Sequence, residues 1–358
     1  MNPTKIVFFE VPKVEQAILA DFLSGSSFDI SFYEEKLKEE NAYLVKDAEV
    51  VSVFINSVIN KNVIDILPGL KFIATRSTGY DHIDVGYCKN KEIKVSNVPA
   101  YGSNTVAEFS FALMLDISRK VSDANRQIRK EATLSVQGAT SAKSGKRGRI
   151  SGWDFSNFRG FDLFGKTLGV VGTGKIGKNV IKIAKGFNMK VIAFDLLPDN
   201  KFAEENAFQY VSFNDVLADS DIITLHTPYN KDTHHLINKD NIKLFKKGAY
   251  LINTARGELV DTEALIWGLK EGIVAGAGLD VLEGERKLKE EIEFLARDNG
   301  YADDSKTLLG DRMLMGMPNV IVTPHIAFYT REAVAEILKI TAENIKSFTL
   351  SNPQNLVK

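Results

Sequence analysis

Short apolar and β-branched runs alternate with helix-length segments along most of the chain, which predicts an α/β protein built on parallel sheets. Two further observations sharpen this. The chain has 358 residues, more than a single hydrophobic core usually organises, so two domains are expected. The strand candidates are near-continuous apolar runs, as in strands buried on both faces. The expected fold class is α/β with two doubly wound parallel-sheet domains.

The first strand candidates are Lys5–Glu10, Phe28–Tyr33, Val50–Ile55, Leu70–Arg76 and Ile93–Asn97, with helical segments such as Val14–Leu23 and Val63–Leu67 between them. Ser103–Ser118 reads as a long helix, because Val106, Phe109, Ala112, Leu113 and Ile117 share one face. Residues 131–160 are rich in Gly, Ser, Ala and basic side chains without periodicity, and read as an exposed loop. Lys143, Lys146, Arg147 and Arg149 make it basic. From residue 166 the alternation resumes, with strands at Thr167–Val171, Lys190–Phe194, Asp221–Leu225, Tyr250–Asn253, Val274–Leu279 and Val320–Thr323. Helices are expected at Gly174–Gly186 and Asp261–Glu271. Six such strands make a complete doubly wound sheet.

The composition is 44% hydrophobic and 25% charged, ordinary for a globular protein. With 45 basic and 46 acidic residues the net charge is −1, so no global field draws the chain to nucleic acid or to an anionic membrane. A single cysteine, Cys88, excludes an internal disulfide and any cysteine-based metal centre. No metal is expected. The first residues lack a signal-peptide pattern and no run is long enough to cross a bilayer, so the expected location is cytoplasmic.

The segment GVVGTGKIG carries Gly172, Gly174 and Gly177 in the spacing G-x-G-x-x-G, after a strand and at the start of a helix. The next strand ends in Asp195, roughly 20 positions further on. This is a dinucleotide-binding fingerprint. Gly172 permits the tight turn, Gly174 lets the backbone approach a pyrophosphate and Gly177 lets the helix pack on the sheet. The helix N-terminus offers N–H groups to the phosphates. Asp195 would bind ribose hydroxyls and repel a 2′-phosphate, which selects NAD over NADP.

Ligands of open α/β sheets lie beyond the carboxyl ends of the strands. There the sequence places His226-Thr227-Pro228, then Thr254-Ala255-Arg256, then Asp280 with Glu283 and Glu285, then Pro324-His325. A cation, carboxylates and a histidine beside a nicotinamide suit a 2-hydroxy acid. Arg256 can clamp its carboxylate with two parallel hydrogen bonds. His325 can exchange the hydroxyl proton. A neighbouring carboxylate would fix the imidazole tautomer and favour its protonated form. Glu285 can fill that role, although spacing alone leaves it a solvated charge in EGERKLKEEIE. His82, His234 and His235 read as structural or surface residues.

The motifs RSTGYDHID, VPAY, NTVAEF, TLGVVGTGKIG, LHTP, LINTARGELVD, GLDVLEGE and TPHIAFYT follow one another in this order. Together they resemble the D-isomer-specific 2-hydroxyacid dehydrogenases across almost the whole chain, and most of all their D-lactate dehydrogenase branch. The resemblance implies Arg256, Glu285 and His325 as the catalytic set. It implies cofactor contacts at Val106, Lys175, Ile176, Thr227, Pro228, Thr233, Thr254 and Ala255, with Asp280 facing the nicotinamide. His226, at the same strand end as Thr227, is expected among the cofactor contacts as well. Thr78, Gly79 and Tyr101 match the segment that meets the substrate carboxylate. Phe54 either matches an aromatic that closes the substrate side-chain pocket or is ordinary core.

The resemblance also implies a flavodoxin-like substrate domain, 1–102 and 327–358, interrupted by a Rossmann NAD-binding domain, 103–326, with the site in the cleft between them. A homodimer is implied, and the long 131–160 segment leaves its packing open. Phe109 stands where the family often has His. The spacing of 40 positions between Glu285 and His325 and the HxAFYT pattern resemble the lactate branch, so reduction of pyruvate to D-lactate is expected. The alternatives are keto acids of other size (2-ketoisocaproate, hydroxypyruvate, glyoxylate or phosphoglycerate types) and, remotely, an NAD-sensing corepressor. Formate dehydrogenases place Gln where Glu285 stands. Cys88 has no part in the chemistry.

Overall fold

A computed structural model describes residues 3–140, 155–285 and 306–357. By internal packing the chain divides into two compact units, Met1–Gly102 with Tyr329–Lys358, and Ser103–Phe328.

The first unit holds β1 (Thr4–Phe8), β2 (Phe28–Phe32), β3 (Val50–Val53), β4 (Phe72–Thr75) and β5 (Lys94–Ser96) in the order β2-β1-β3-β4-β5, every pair parallel. This is the doubly wound order of flavodoxin-like sheets. β3 and β4 are buried at every position, and their alternate side chains feed two cores. Val7, Val51, Ile73 and Val95 pack on one face. Ile6, Phe8, Val50, Phe72 and Ala74 pack on the other. That second face is closed by the helices Lys13–Phe22 and Arg331–Thr349, the latter contributing Leu338, Ala342 and Ile345. Phe72 and Phe348 stack with centroids 4.3 Å apart. Beyond that helix, Leu356 bridges to Ser96 antiparallel, and Val357 N–H donates to Val95 O at 2.9 Å, covering the β5 edge.

The second unit contains β6 (Thr167–Val171), β7 (Lys190–Phe194), β8 (Gln209–Tyr210), β9 (Ile222–Leu225), β10 (Ala249–Asn253), β11 (Val274–Leu279) and β12 (Val320–Val322). Their order is β12-β11-β10-β9-β6-β7-β8, again all parallel. The sheet therefore has seven strands rather than the six read from sequence. The missed strand, β8, is two residues long at an edge, too short to show a period. The direction of the order reverses between β6 and β9, where a ligand crevice forms in doubly wound sheets. The helix Ser103–Arg119 lays Ala107, Phe111, Leu113 and Met114 on the face built by Leu168, Val170 and Ile252.

The expected loop over 131–160 is corrected at its start, because a helix runs over Val121–Thr140. EATLSVQGAT has no proline, and extending an existing helix needs no new nucleus. Lys143, Lys146, Arg147 and Arg149 lie outside the described residues. Among the described residues no helix is long and apolar enough to cross a membrane.

The terminal helix should stabilise the first unit through Phe72. This side chain is fully buried, so Phe72→Ala should lower unfolding free energy by about 3–5 kcal/mol, measured by urea unfolding. A loss below ~1 kcal/mol would show that the Phe72–Phe348 stack contributes little.

Candidate active site

The glycine-rich turn joins β6 to the helix Lys175–Gly186. Gly172 has φ +91°, and a Cβ there would lie 2.8 Å from the His226 carbonyl. A Cβ on Gly177 would lie 2.0 Å from Gly172 O. Both positions need glycine, one for conformation and close approach, the other for approach alone. At Gly174 nothing lies within 4 Å of an added Cβ, so the space before the helix N-terminus is open to a ligand. No side chain caps that N-terminus, which leaves Lys175, Ile176 and their neighbours in the position of an anion site. The buried Thr227 hydroxyl and the His226 Nδ1, on the next strand end, have no partner among the described residues. These features fit a dinucleotide.

Asp195 follows β7 and grips the same turn. Its Oδ2 accepts from the Thr173 N–H at 2.6 Å and hydroxyl at 2.9 Å, and its Oδ1 from the Leu197 N–H at 2.9 Å. Burial alone would raise this carboxyl, but the Leu197 and Thr173 donors outweigh it and hold Asp195 below its ordinary value. His226 is pushed down to about 3 by burial, so its imidazole is neutral at physiological pH. Its Nε2 lies 2.9 Å from the Thr224 hydroxyl. Thr233 Oγ1 donates to Pro228 O at 2.8 Å and shapes the turn beyond β9. Ser110 Oγ donates to Val106 O at 2.9 Å and lies 3.0 Å from Thr254 Oγ1, linking the first long helix to the end of β10.

β10, β11 and β12 are neighbours, so their carboxyl ends bring Arg256, Glu285 and His325 to one edge of the sheet. Arg256 is set by Asn253, whose side-chain amide donates to Arg256 O at 2.7 Å while its Oδ1 accepts from the Ala255 N–H at 3.0 Å. The next residue, Gly257, packs against the backbone of Leu282, where a Cβ would lie 2.1 Å from the carbonyl. Arg256 Nη1 donates to Ala255 O at 2.8 Å.

His325 has φ +57°, a left-handed conformation that costs a non-glycine residue about 1–3 kcal/mol. Its N–H donates to Asp280 O at 2.9 Å. The Asp280 carboxylate accepts from the Thr323 hydroxyl at 2.5 Å, the Ile326 N–H at 2.9 Å and the Ala327 N–H at 2.8 Å. Asp280 is 1% exposed, and burial raises its carboxyl despite those donors. The side chain is thus engaged with the loop that carries the histidine. His325 Nδ1 lies 3.2 Å from both Glu285 oxygens. With Nδ1–H donating to Glu285, Nε2 is the ring nitrogen placed to exchange a proton.

The family model described as "D-isomer specific 2-hydroxyacid dehydrogenase, NAD binding domain" matches residues 111–327. The chain belongs to this family. An aromatic 2-oxoacid reductase of Clostridium sporogenes is 36% identical over 86% of this chain and 85% of its own. The pyruvate reductase of Chlamydomonas reinhardtii superposes with TM-score 0.82 at 32% identity, covering 98% of both chains. The D-lactate dehydrogenase of Aquifex aeolicus, solved with NAD and lactic acid, gives TM-score 0.79 at 34% identity, covering 97% of this chain and 96% of that one. The second unit of this 2-hydroxyacid dehydrogenase is accordingly an NAD-binding domain.

In the first unit, Thr78 and Gly79 lie in the turn after β4. Thr78 Oγ1 donates to Val98 O at 2.8 Å and Ser77 Oγ to Gly79 O at 2.6 Å. The backbone N–H groups of Thr78 and Gly79 make no hydrogen bond among the described residues. His82 is buried with Nε2 3.0 Å from Thr75 Oγ1. Tyr101 is half-buried just before the second unit begins. Cys88 is fully buried and its thiol is pushed up to about 11, which removes it as a nucleophile.

Two acids of the 283–311 region were not singled out as structural anchors from sequence. Glu283 accepts from His235 Nε2 at 2.7 Å and from the Thr262 N–H at 3.1 Å. Burial opposes its ionisation, but the His235 and Thr262 donors win and lower it. Asp311, on the helix Lys306–Gly316, accepts from the Gly284 N–H at 2.8 Å. The turn carrying Glu285 is therefore held from both sides. No local signal marks Asp311, since its partner lies 27 positions away.

Burial, with the like charges of Glu283 and Glu285, pushes Asp311 up to about 6 from 3.8. Below about pH 4 the carboxyl is protonated in both folded and unfolded chains. As pH rises toward 6 the unfolded chain ionises first, so stability is lost across this window. Asp311→Asn should therefore gain stability relative to native protein between about pH 4 and 7, then level off. Urea unfolding at stepped pH checks this, and a pH-independent difference would contradict it.

Proposed function

We propose that the protein reduces pyruvate to D-lactate with NADH, and catalyses the reverse with NAD. The observation that carries the chemistry is the His325–Glu285 pair on the strand end next to Arg256. The NAD cofactor, when bound, supplies or accepts the hydride at the substrate C2.

Arg256 binds the substrate carboxylate through its planar guanidinium, and this orients the keto group. In the first unit, Thr78 and Gly79, whose N–H groups make no hydrogen bond among the described residues, are assigned to substrate binding, as is Tyr101. His325 Nε2–H donates to the keto oxygen, delivers its proton as the alcohol forms, and takes it back in oxidation. Glu285 holds the imidazole tautomer through Nδ1 and balances the charge of the protonated ring. Asp195 would accept from the ribose hydroxyls of the bound cofactor, and its charge would disfavour a 2′-phosphate.

Phe54, which begins the turn after β3, is assigned as the wall of the substrate side-chain pocket, and an aromatic there favours a small substituent. The HxAFYT pattern and the similarity to a pyruvate reductase and a D-lactate dehydrogenase support a small substrate. A panel of pyruvate, 2-ketoisocaproate, hydroxypyruvate and phenylpyruvate with NADH should give the highest kcat/KM for pyruvate, with D-lactate as product. A higher value for any other member would overturn the pyruvate assignment.

His325→Ala should lower kcat by about two to four orders of magnitude with NADH binding retained. Arg256→Ala should act mainly on keto-acid KM. Glu285→Gln should move the pH profile of reduction toward acid, and an unchanged profile and kcat would remove Glu285 from the mechanism.

A further inference from the structure

In the first unit β2 and β3 lie on opposite sides of β1, so the strand order reverses between β1 and β3. Loops leaving the carboxyl ends at such a reversal line the ligand crevice of an open α/β sheet. The β1 loop carries Glu10 and the β3 loop begins with Phe54.

The Glu10 carboxylate binds almost the whole turn after β3. Its Oε2 accepts from the Phe54 N–H at 3.0 Å, the Ser57 N–H at 3.1 Å and the Ser57 hydroxyl at 2.5 Å. Its Oε1 accepts from the Asn56 N–H at 3.0 Å and the Asn56 side-chain amide at 2.9 Å. The buried Ser57 hydroxyl in turn accepts from the Leu37 N–H at 3.0 Å. Hydrogen bonds from several donors to one ionised carboxylate are among the stronger anchors a loop can have.

Glu10 is itself held in an unusual backbone state. It has φ +58°, where a side chain is strained. Its N–H donates to Glu35 O at 3.0 Å. Its carbonyl accepts from Arg76 Nη2 at 2.8 Å. The same nitrogen donates to Phe9 O at 2.5 Å, while Nη1 donates to the Ser52 hydroxyl at 3.0 Å. Arg76 is 2% exposed, so this guanidinium is a fixed internal post rather than a surface charge. Arg76 therefore sets the Glu10 backbone, and the Glu10 side chain sets the position of Phe54.

We propose that Glu10 is the positioning residue of the Phe54–Ser57 turn and thereby sets the chain-length preference for the keto acid. The specificity half of this rests on the reading of Phe54 as the pocket wall. The anchoring half stands on the carboxylate cradle alone.

Glu10→Gln tests both halves. The amide keeps the length of the side chain but turns one acceptor oxygen into a donor, so one set of the cradle bonds is lost whichever way it faces. Amide hydrogen exchange at Phe54, Asn56 and Ser57 should accelerate about tenfold or more, with β3 and β4 unchanged. NADH affinity should stay as in the native enzyme. The kcat/KM ratio of pyruvate over 2-ketohexanoate should fall roughly fivefold or more, mainly through the pyruvate KM. Asn56→Ala removes one cradle bond from an exposed side chain and should move both readouts the same way by less, which keeps the test open if Glu10→Gln does not fold.

Unchanged exchange in the turn would overturn the anchoring role. Faster exchange with an unchanged substrate ratio would overturn the specificity role. Phe54→Ala, measured beside it, separates the two causes of that second failure. If Phe54→Ala shifts the ratio, Phe54 is the wall and Glu10 does not govern it. If it does not, the wall assignment itself is wrong.

Discussion

The chemistry proposed for the second unit depends on a carboxylate that would not touch the substrate. Asp280 is buried at the end of β11 and spends its oxygens on Thr323, Ile326 and Ala327. Those contacts hold the histidine loop in a conformation that includes a left-handed His325. Without compensation such backbone strain relaxes, and the imidazole would leave Glu285. A buried, ionisable side chain is expensive unless its hydrogen bonds are complete. Here local donors offset only part of that cost, since burial still raises the carboxyl, and the contacts hold the loop that carries His325.

The same device recurs. Asp195 grips the glycine-rich turn, Glu283 and Asp311 brace the turn that bears Glu285, and Glu10 cradles the turn that begins at Phe54. Each acid sits near the carboxyl end of a strand or on a helix packed behind one, and each binds at least one backbone N–H of a neighbouring segment. Parallel sheets place many loops at one end, where no ladder satisfies the loop amides. A short acidic side chain can satisfy two or three of them at once. Charge-assisted anchors of this kind let irregular loops carry functional groups with the precision of regular structure.

Much of this was legible in the chain. The central strands are buried on both faces and appear as apolar runs with clear ends, and β6, β7 and β11 occur at the residues expected. Gly172, Gly174 and Gly177 announce their turn because their spacing is local and chemically demanding. The two-residue β8 carried too little pattern to register. The helix over Val121–Thr140 was hidden by a composition that resembles a loop.

Sequence by itself determined the alternation, the parallel doubly wound class, the nucleotide fingerprint and the presence of Arg256, Glu285 and His325 at strand ends, because these depend on neighbours a few residues apart. Tertiary contacts decided which acids are anchors; spacing left the histidine's partner open, the family resemblance implied Glu285, and the fold brings Glu285 to His325. Glu283 and Glu285 are two positions apart in one charged stretch, yet one binds His235 and the other His325. Their roles are set by partners 48 and 40 positions distant. Those distances are closed only when β9, β10, β11 and β12 come to lie side by side, and no local periodicity encodes a hydrogen bond across strands.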